Sequence, residues 1–290
     1  MNEAVSTTSI PHEDLQAHVR STLARLSQTG ALPSLPAAAS AALGMARDPE
    51  ADVDKLCRVI QTDMGLAARV LRVANSAALG RRNPARKLQE AIITVGLRKT
   101  CDIMVAACAK RLYEGASSRA EELWNHSLAV GVAAEELARL TRRVELGCAF
   151  LPGLFHDVGR VAFILADPTA AEVIDGLVAN SGGEKSYFER EWYGFDHAEA
   201  GAILAEDWGL ALELCDAIRW HHDPKEAGAA RELATILNAA DRLAYTIGCG
   251  TDAEPPSSVS IASLGLSPED EATLAERVRT AWEEQRDLLS

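Results

Sequence analysis

The stretch Gly153-Leu154-Phe155-His156-Asp157-Val158-Gly159-Arg160 decides how this chain is read. An apolar run delivers a histidine and an aspartate side by side, then resumes with Val158. Adjacent helical residues point about 100° apart, so His156 and Asp157 can reach different sides of one site. Working outward, four more histidines fall between positions 126 and 222. His126 stands in Leu123-Trp124-Asn125-His126-Ser127, and His197 in Phe195-Asp196-His197-Ala198-Glu199-Ala200-Gly201. His221-His222 follow Ile218-Arg219-Trp220, and Asp241 stands in Asn238-Ala239-Ala240-Asp241-Arg242. The two remaining histidines, His12 and His18, lie near the N-terminus and read as surface residues.

The chain around this series reads as all-helical. Apolar residues make up 48% of its 290 residues and aromatics only 5%. Ala and Leu lose little entropy in a helix, whereas strands favour β-branched and aromatic residues. Pro36 can open a helix that Asp48-Pro49 closes. Leu56, Val59 and Ile60, and then Leu66, Val70, Leu71 and Val73, recur at three to four. Leu97 to Leu112 is apolar on most sides and reads as a buried helix. Ser118-x-x-Glu121 is a capping-box pattern for a helix running through His126 towards Leu140. Asp167-Pro168 and Ser267-Pro268-x-Asp270 are further helix starts. Ala91-Ile92-Ile93-Thr94-Val95 has strand-like composition, but Gly96 and its flanks favour a short helix.

Formal net charge is −13, which repels phosphate backbones and anionic lipid. No direct nucleic-acid or membrane binding is expected. Arg81, Arg82, Arg86 and Lys87 around Pro84 form the densest basic run and read as a solvated loop. Met1 to Pro11 lacks the pattern of a signal peptide, and no apolar run approaches the roughly 18 residues of a membrane span. Six scattered cysteines without a CxxC pair read as buried thiols in a reducing compartment. The expected location is the cytoplasm.

Neutral imidazoles and carboxylates suit Fe, Mn, Co or Zn in a hydrolytic type of metal site. A carboxylate can bridge two ions, and Asp157 is the natural bridge. Two ions about 3.5–4 Å apart could activate a water towards phosphorus. Each residue alone has a plainer reading: a core histidine, a helix-face aspartate, or a helix-closing His222 beside Asp223-Pro224. The order His, His-Asp, His, His-His, Asp is far more specific than its members.

That order resembles the HD superfamily of metal-dependent phosphohydrolases, and more closely its HDOD branch. Further carriers are Leu32-Pro33-Ser34-Leu35-Pro36, Ile60-Gln61-Thr62-Asp63, Val70 to Ser76, Ala91 to Leu97, and Trp208-Gly209-Leu210. The resemblance spans roughly residues 25–245. It divides the chain into a lead (1–24), an HDOD domain with a helical first half (25–115) and an HD-like half (116–245), and a helical tail (246–290).

The resemblance implies a bacterial signalling module that acts through a protein partner. His126, His156, Asp157, His197, His221, His222 and Asp241 would be metal ligands for one or two divalent ions, Fe or Mn favoured and Zn or Co possible. All seven positions are filled, although many members of the branch have lost some. Glu122, one helical turn before His126, is a candidate eighth ligand. The alternative is a two-metal phosphodiesterase acting on a nucleotide such as cyclic di-GMP. Against it, His222 is followed by Asp223-Pro224-Lys225 and not by the Gly-Tyr-Pro signature of the cyclic di-GMP hydrolases. Arg160 could clamp a phosphate through its guanidinium or pair with a carboxylate on a neighbouring helix. Arg219, Lys225 and Arg242 are the other cations near the motif. A nucleotide ligand and a homodimer remain open.

Overall fold

A computed structural model describes residues 12–26, 34–48, 50–76, 79, 83–114, 119–251 and 261–289. The first half of the chain builds α1 (His12–Leu26), α2 (Ala37–Arg47), α3 (Val53–Ile60), α4 (Met64–Ala74), α5 (Leu88–Val95) and α6 (Leu97–Glu114). The second half builds α7 (Ala120–Thr141), α8 (Phe150–Phe155), α9 (Val158–Ala166), α10 (Pro168–Ser181), α11 (Lys185–Tyr193), α12 (His197–Asp207), α13 (Leu212–Arg219) and α14 (Arg231–Thr246). The tail is α15 (Pro268–Leu289). No strand occurs among the described residues, and Ala91–Val95 is helical within α5.

Local chemistry sets many of the boundaries. Pro36 and Asp48 flank α2 as expected. The Asp167 carboxylate accepts the Ala170 amide (3.0 Å) at the start of α10, and Asp196 accepts the Glu199 amide (3.0 Å) at the start of α12. At α15, Ser267 and Asp270 cap each other, with Ser267 Oγ to Asp270 Oδ2 at 2.7 Å and the Asp270 amide to Ser267 Oγ at 3.2 Å. Such caps stabilise by about 1 kcal/mol each. Asn75 closes α4, and its amide brackets Ala85 through both backbone groups (2.6 and 3.1 Å). That accounts for an Asn at this position without any substrate. Ser118, Arg81, Arg82, Leu32 and Pro33 lie outside the described residues, whereas Arg86 and Lys87 are exposed.

In the first half α2 lies along α6, and Thr100 to Ala109 of α6 are all buried. In the second half α7 packs on α8 and α14, and α12 on α9 and α13. The α7–α8 contact is backbone to backbone. A Cβ on Gly153 would lie 2.9 Å from Gly131 Cα and 3.0 Å from the Val130 carbonyl oxygen. Fully buried Leu128, Leu137 and Leu154 fill in around that contact, each stabilising by roughly 1.5–3 kcal/mol. The two ends of the chain also join this half. Helix α1 packs on α9 and α12, with Arg20 paired to Asp207 at 2.8 Å. Helix α15 packs on α7 and buries Leu274, Val278 and Leu289. All six cysteines are free thiols, and only Cys148 is less than fully buried.

Candidate metal centre

Five segments of the second half converge on one point. His126 comes from α7, and His156-Asp157 from the two-residue turn between α8 and α9. His197 is the first residue of α12, His221-His222 come after Trp220, which closes α13, and Asp241 lies on α14. Interrupting the helix at His156-Asp157 frees Asp157 to turn inward as the residue preceding α9. Six of these seven residues are buried, and His222 is partly buried.

Asp157 stands at the middle. Its Oδ1 lies 3.2 Å from His197 Nε2, 3.6 Å from His156 Nε2 and 3.9 Å from His221 Nε2. Its Oδ2 lies 3.7 Å from His126 Nε2, which is also 3.3 Å from Asp241 Oδ1. His197 Nε2 and His222 Nε2 approach to 2.8 Å. The donor atoms form two groups, His126–His156–Asp157 and His197–His221–His222, each within 4.8 Å. One carboxylate therefore faces both.

The other ring nitrogens explain this orientation. His126 Nδ1 donates to the Cys249 carbonyl (2.8 Å), His156 Nδ1 to that of Gly153 (2.8 Å), and His221 Nδ1 to that of Ile218 (2.7 Å). A carbonyl only accepts, so Nδ1 carries the proton in each, and in His156 and His221 Nε2 presents a lone pair. His197 Nδ1 meets Glu189 Oε2 at 2.5 Å, and the His197 amide donates to the same oxygen at 2.8 Å. Carboxylate or carbonyl partners behind the rings are how proteins orient metal-binding histidines.

Electrostatics divide the rings, favouring the neutral form of His156, His221 and His222 and the charged form of His126 and His197. Burial pushes the His156 imidazole down to about 4. Burial and the neighbouring His197 push His221 down, and burial with His221 holds His222 well below the usual range. These rings are neutral at pH 7. Burial opposes ionisation of Asp157, but His156, Arg160, His197 and His126 outweigh it and hold the carboxyl well below its ordinary value. Burial disfavours the His197 cation too, yet Glu189 and Asp157 raise it to about 9. For His126, Asp241 overcomes burial and raises the value.

The donor set fits a metal. His156 Nε2 and His221 Nε2 are buried nitrogens without a hydrogen-bond partner, an arrangement that costs free energy unless something accepts the lone pair. Neutral imidazole nitrogens beside an ionised carboxylate are the donors that Fe, Mn, Co and Zn take.

Other residues fall differently. Glu122 is exposed and pairs with Arg119 (3.2 Å), so it does not join the centre. Arg160 is buried, and its Nη1 donates to Asp157 Oδ2 (2.8 Å) and to Thr251 Oγ1 (2.8 Å). One carboxylate partner thus sits one turn earlier in the chain. Arg219 is turned away onto Glu199 and Glu206 of α12, and Lys225 and Arg242 are exposed. Three contributors carried no sequence signal: Glu189 behind His197, Thr251 behind Arg160, and Asn238, whose amide holds the His221 carbonyl (2.7 Å). Only the packing of α11, of α14 and of the segment after α14 places them.

Comparison with known proteins bears on the family and the fold. A family model described as the HDOD domain matches residues 32–224. A Treponema pallidum (strain Nichols) protein of uncharacterised function is 26% identical over 193 residues. That match takes in 66% of this chain but 38% of the relative, so the chain spans well under half of that protein's length. Among solved structures, an HDOD domain protein of unknown function from Geobacter sulfurreducens aligns with a TM-score of 0.76 at 24% identity. The alignment covers 95% of this chain and 98% of that one. A protein provisionally assigned to signal transduction, from Marinobacter aquaeolei VT8, aligns with a TM-score of 0.77 at 21% identity over 98% of this chain and 67% of that one. A provisionally assigned phosphohydrolase from Shewanella amazonensis SB2B aligns at 0.72 and 24% over 94% and 98%. With its family model covering most of the sequence and its all-helical fold shared across these structures, this chain belongs to the HDOD domain family.

Proposed function

We propose that this protein is a bacterial signalling module that binds one or two transition-metal ions and acts through a protein partner. The observation that carries the metal reading is the pair of partnerless Nε2 atoms, His156 and His221, facing Asp157. His126, His156, Asp157, His197, His221, His222 and Asp241 would hold the ions, Fe or Mn by preference. Bound metal would supply Lewis acidity there and would tie α7, α12, α13 and α14 to the turn between α8 and α9.

Two features favour regulation over turnover. Six of the seven residues are buried, and the cation that would clamp a phosphate, Arg160, already donates to Asp157 and Thr251. An HD-type hydrolase needs an open coordination position and contacts for its substrate. Assignment of the Marinobacter aquaeolei relative to signal transduction is consistent with this role.

Metal analysis of the purified protein, combined with an activity assay, tests both parts. One to two ions per chain are expected, lost in His156→Ala and Asp157→Ala. Metal-free protein from iron- and manganese-replete cells would remove the metal reading. Protein loaded with Fe, Mn, Co or Zn should leave bis(p-nitrophenyl) phosphate and cyclic di-GMP intact. Turnover that disappears in Asp157→Ala would replace this reading with the phosphodiesterase.

A further inference from the structure

A cavity of about 290 Å³ lies away from the histidine cluster, at the junction of the first half, the second half and the tail. Helices α4, α5, α6, α7, α8 and α15 all contribute to its wall. Its lining is mainly apolar, with Ile103 and Ala106 of α6, Val132 of α7, Phe150 of α8 and Leu288 of α15. The volume is at the lower edge of the roughly 300–1,000 Å³ of small-molecule sites. At about 30 Å³ per water-sized group it holds about ten such groups.

The charges in the wall are unevenly satisfied. Glu136 is matched, by Arg139 at 3.2 Å and Arg277 at 2.5 Å. Lys99 is turned onto the Phe150 ring, with Nζ 4.5 Å from its centroid. Glu135 differs: its Oε2 is buried and has no hydrogen-bond partner. A carboxylate in the wall of a mainly apolar chamber, with one of its oxygens buried and unpartnered, is costly until a donor reaches the group. The chamber thus offers an apolar body site with an unmatched carboxylate, Glu135, in its wall for a charged donor.

We propose that this cavity binds a small organic cation: an apolar body of about ten non-hydrogen atoms with a single ammonium head that donates to Glu135. None of its lining residues belongs to the metal centre, so the proposal stands apart from the metal reading. The ligand would touch both halves and α15 at once, which makes the cavity a place where a metabolite-sized signal can enter the module.

The test uses the full chain and three probes of nearly equal shape: 3-phenylpropylamine, 3-phenylpropanol and 3-phenylpropionate. Binding is followed by titration calorimetry and by ligand-observed NMR. The amine is expected to bind at least tenfold more tightly than the alcohol, and the carboxylate more weakly than either. Glu135→Gln should reduce the amine to the level of the alcohol while leaving the alcohol unchanged. Ala106→Phe, which fills the chamber, should abolish binding of both. Equal binding of all three probes, no binding of the amine, or an amine preference that survives Glu135→Gln would each overturn the proposal. If Ala106→Phe does not fold, the Glu135→Gln comparison decides alone. Metal content should be unchanged in Glu135→Gln, so failure here is distinguishable from failure of the metal assignment.

Discussion

At the scale of single residues, the instructive side chain is Glu189. It stands eight positions before His197, buried, and uses one oxygen for both the backbone amide and Nδ1 of that histidine. Removing such a partner typically weakens metal affinity about 10–100-fold. Glu189→Ala should therefore lose metal in competition with a chelating dye while His222 and Asp241 are still present. Unaltered affinity would reduce Glu189 to a role in folding. A second residue-scale expectation concerns Asp102 on α6. Burial pushes its carboxyl up to about 7, against Lys99 and Arg98 and helped by Glu135. The unfolded chain releases that proton near pH 4, whereas the folded chain keeps it until about pH 7. Between those values the folded state binds more protons, so stability falls as pH rises and levels off above 7. Asp102→Asn removes this dependence. Its stability relative to the parent protein should climb from pH 4 to pH 7 and then stay constant, as read from urea unfolding at each pH. A difference independent of pH would show that Asp102 ionises normally in the folded protein.

At the scale of elements, helix ends do much of the positioning. His197 begins α12, and the Asp196 cap fixes where that helix starts. Helix α9 begins against it so closely that a Cβ on Gly159 would collide with the His197 carbonyl and approach the Gly201 nitrogen to 2.9 Å. Both obstacles are backbone, which cannot rotate aside. Gly159→Ala should therefore cost about 3 kcal/mol in denaturant titrations, at the upper end for overpacking. A loss below about 1 kcal/mol would mean that α9 and α12 can separate freely, since volume-conserving changes cost about that much. The same contact explains why the Val158-Gly159-Arg160 part of the opening motif carries no ligand yet belongs with it. Gly159 lets α9 approach, and Arg160 braces Asp157 from one turn further on.

At the scale of the whole molecule, the centre draws on helices far apart in the chain, from α7 to α14, so metal should act as an internal cross-link. A ligand at a hundred times its dissociation constant stabilises by about 2.7 kcal/mol. For a chain of this size, that raises the melting temperature on the order of 5 °C. Calorimetry should show this rise with Mn or Fe and its reversal by a chelator. A melting temperature indifferent to both would contradict a metal that binds only the folded form. No helix among the described residues is long and apolar enough to cross a membrane. Helix α15 is also part of this scale: it packs chiefly on α7, reaches α4 and α6, and closes one wall of the cavity.

The sequence by itself determined the helical class, the starts of α2, α10 and α15, and the set of seven histidines and aspartates that meet at one point. The reason is that caps and apolar periodicity act within a few residues, and that imidazole and carboxylate side chains are rare enough in apolar settings for their order to be informative. Only the tertiary structure decided what surrounds them. Glu189, Asn238 and Thr251 look like ordinary polar residues until α11, α14 and the segment after α14 bring them in. Glu122 shares a helix face with His126 by spacing, but lies a turn too near the exposed end of α7 and meets Arg119 instead. Arg160 could reach a phosphate or a carboxylate by its chemistry, and the inward turn of Asp157 selected the carboxylate. The cavity, too, has no local signature, because its walls come from six helices whose separate faces all read as ordinary core. Local chemistry writes elements and candidate ligands into the chain; which groups end up opposite one another depends on packing between segments that the chain order does not join.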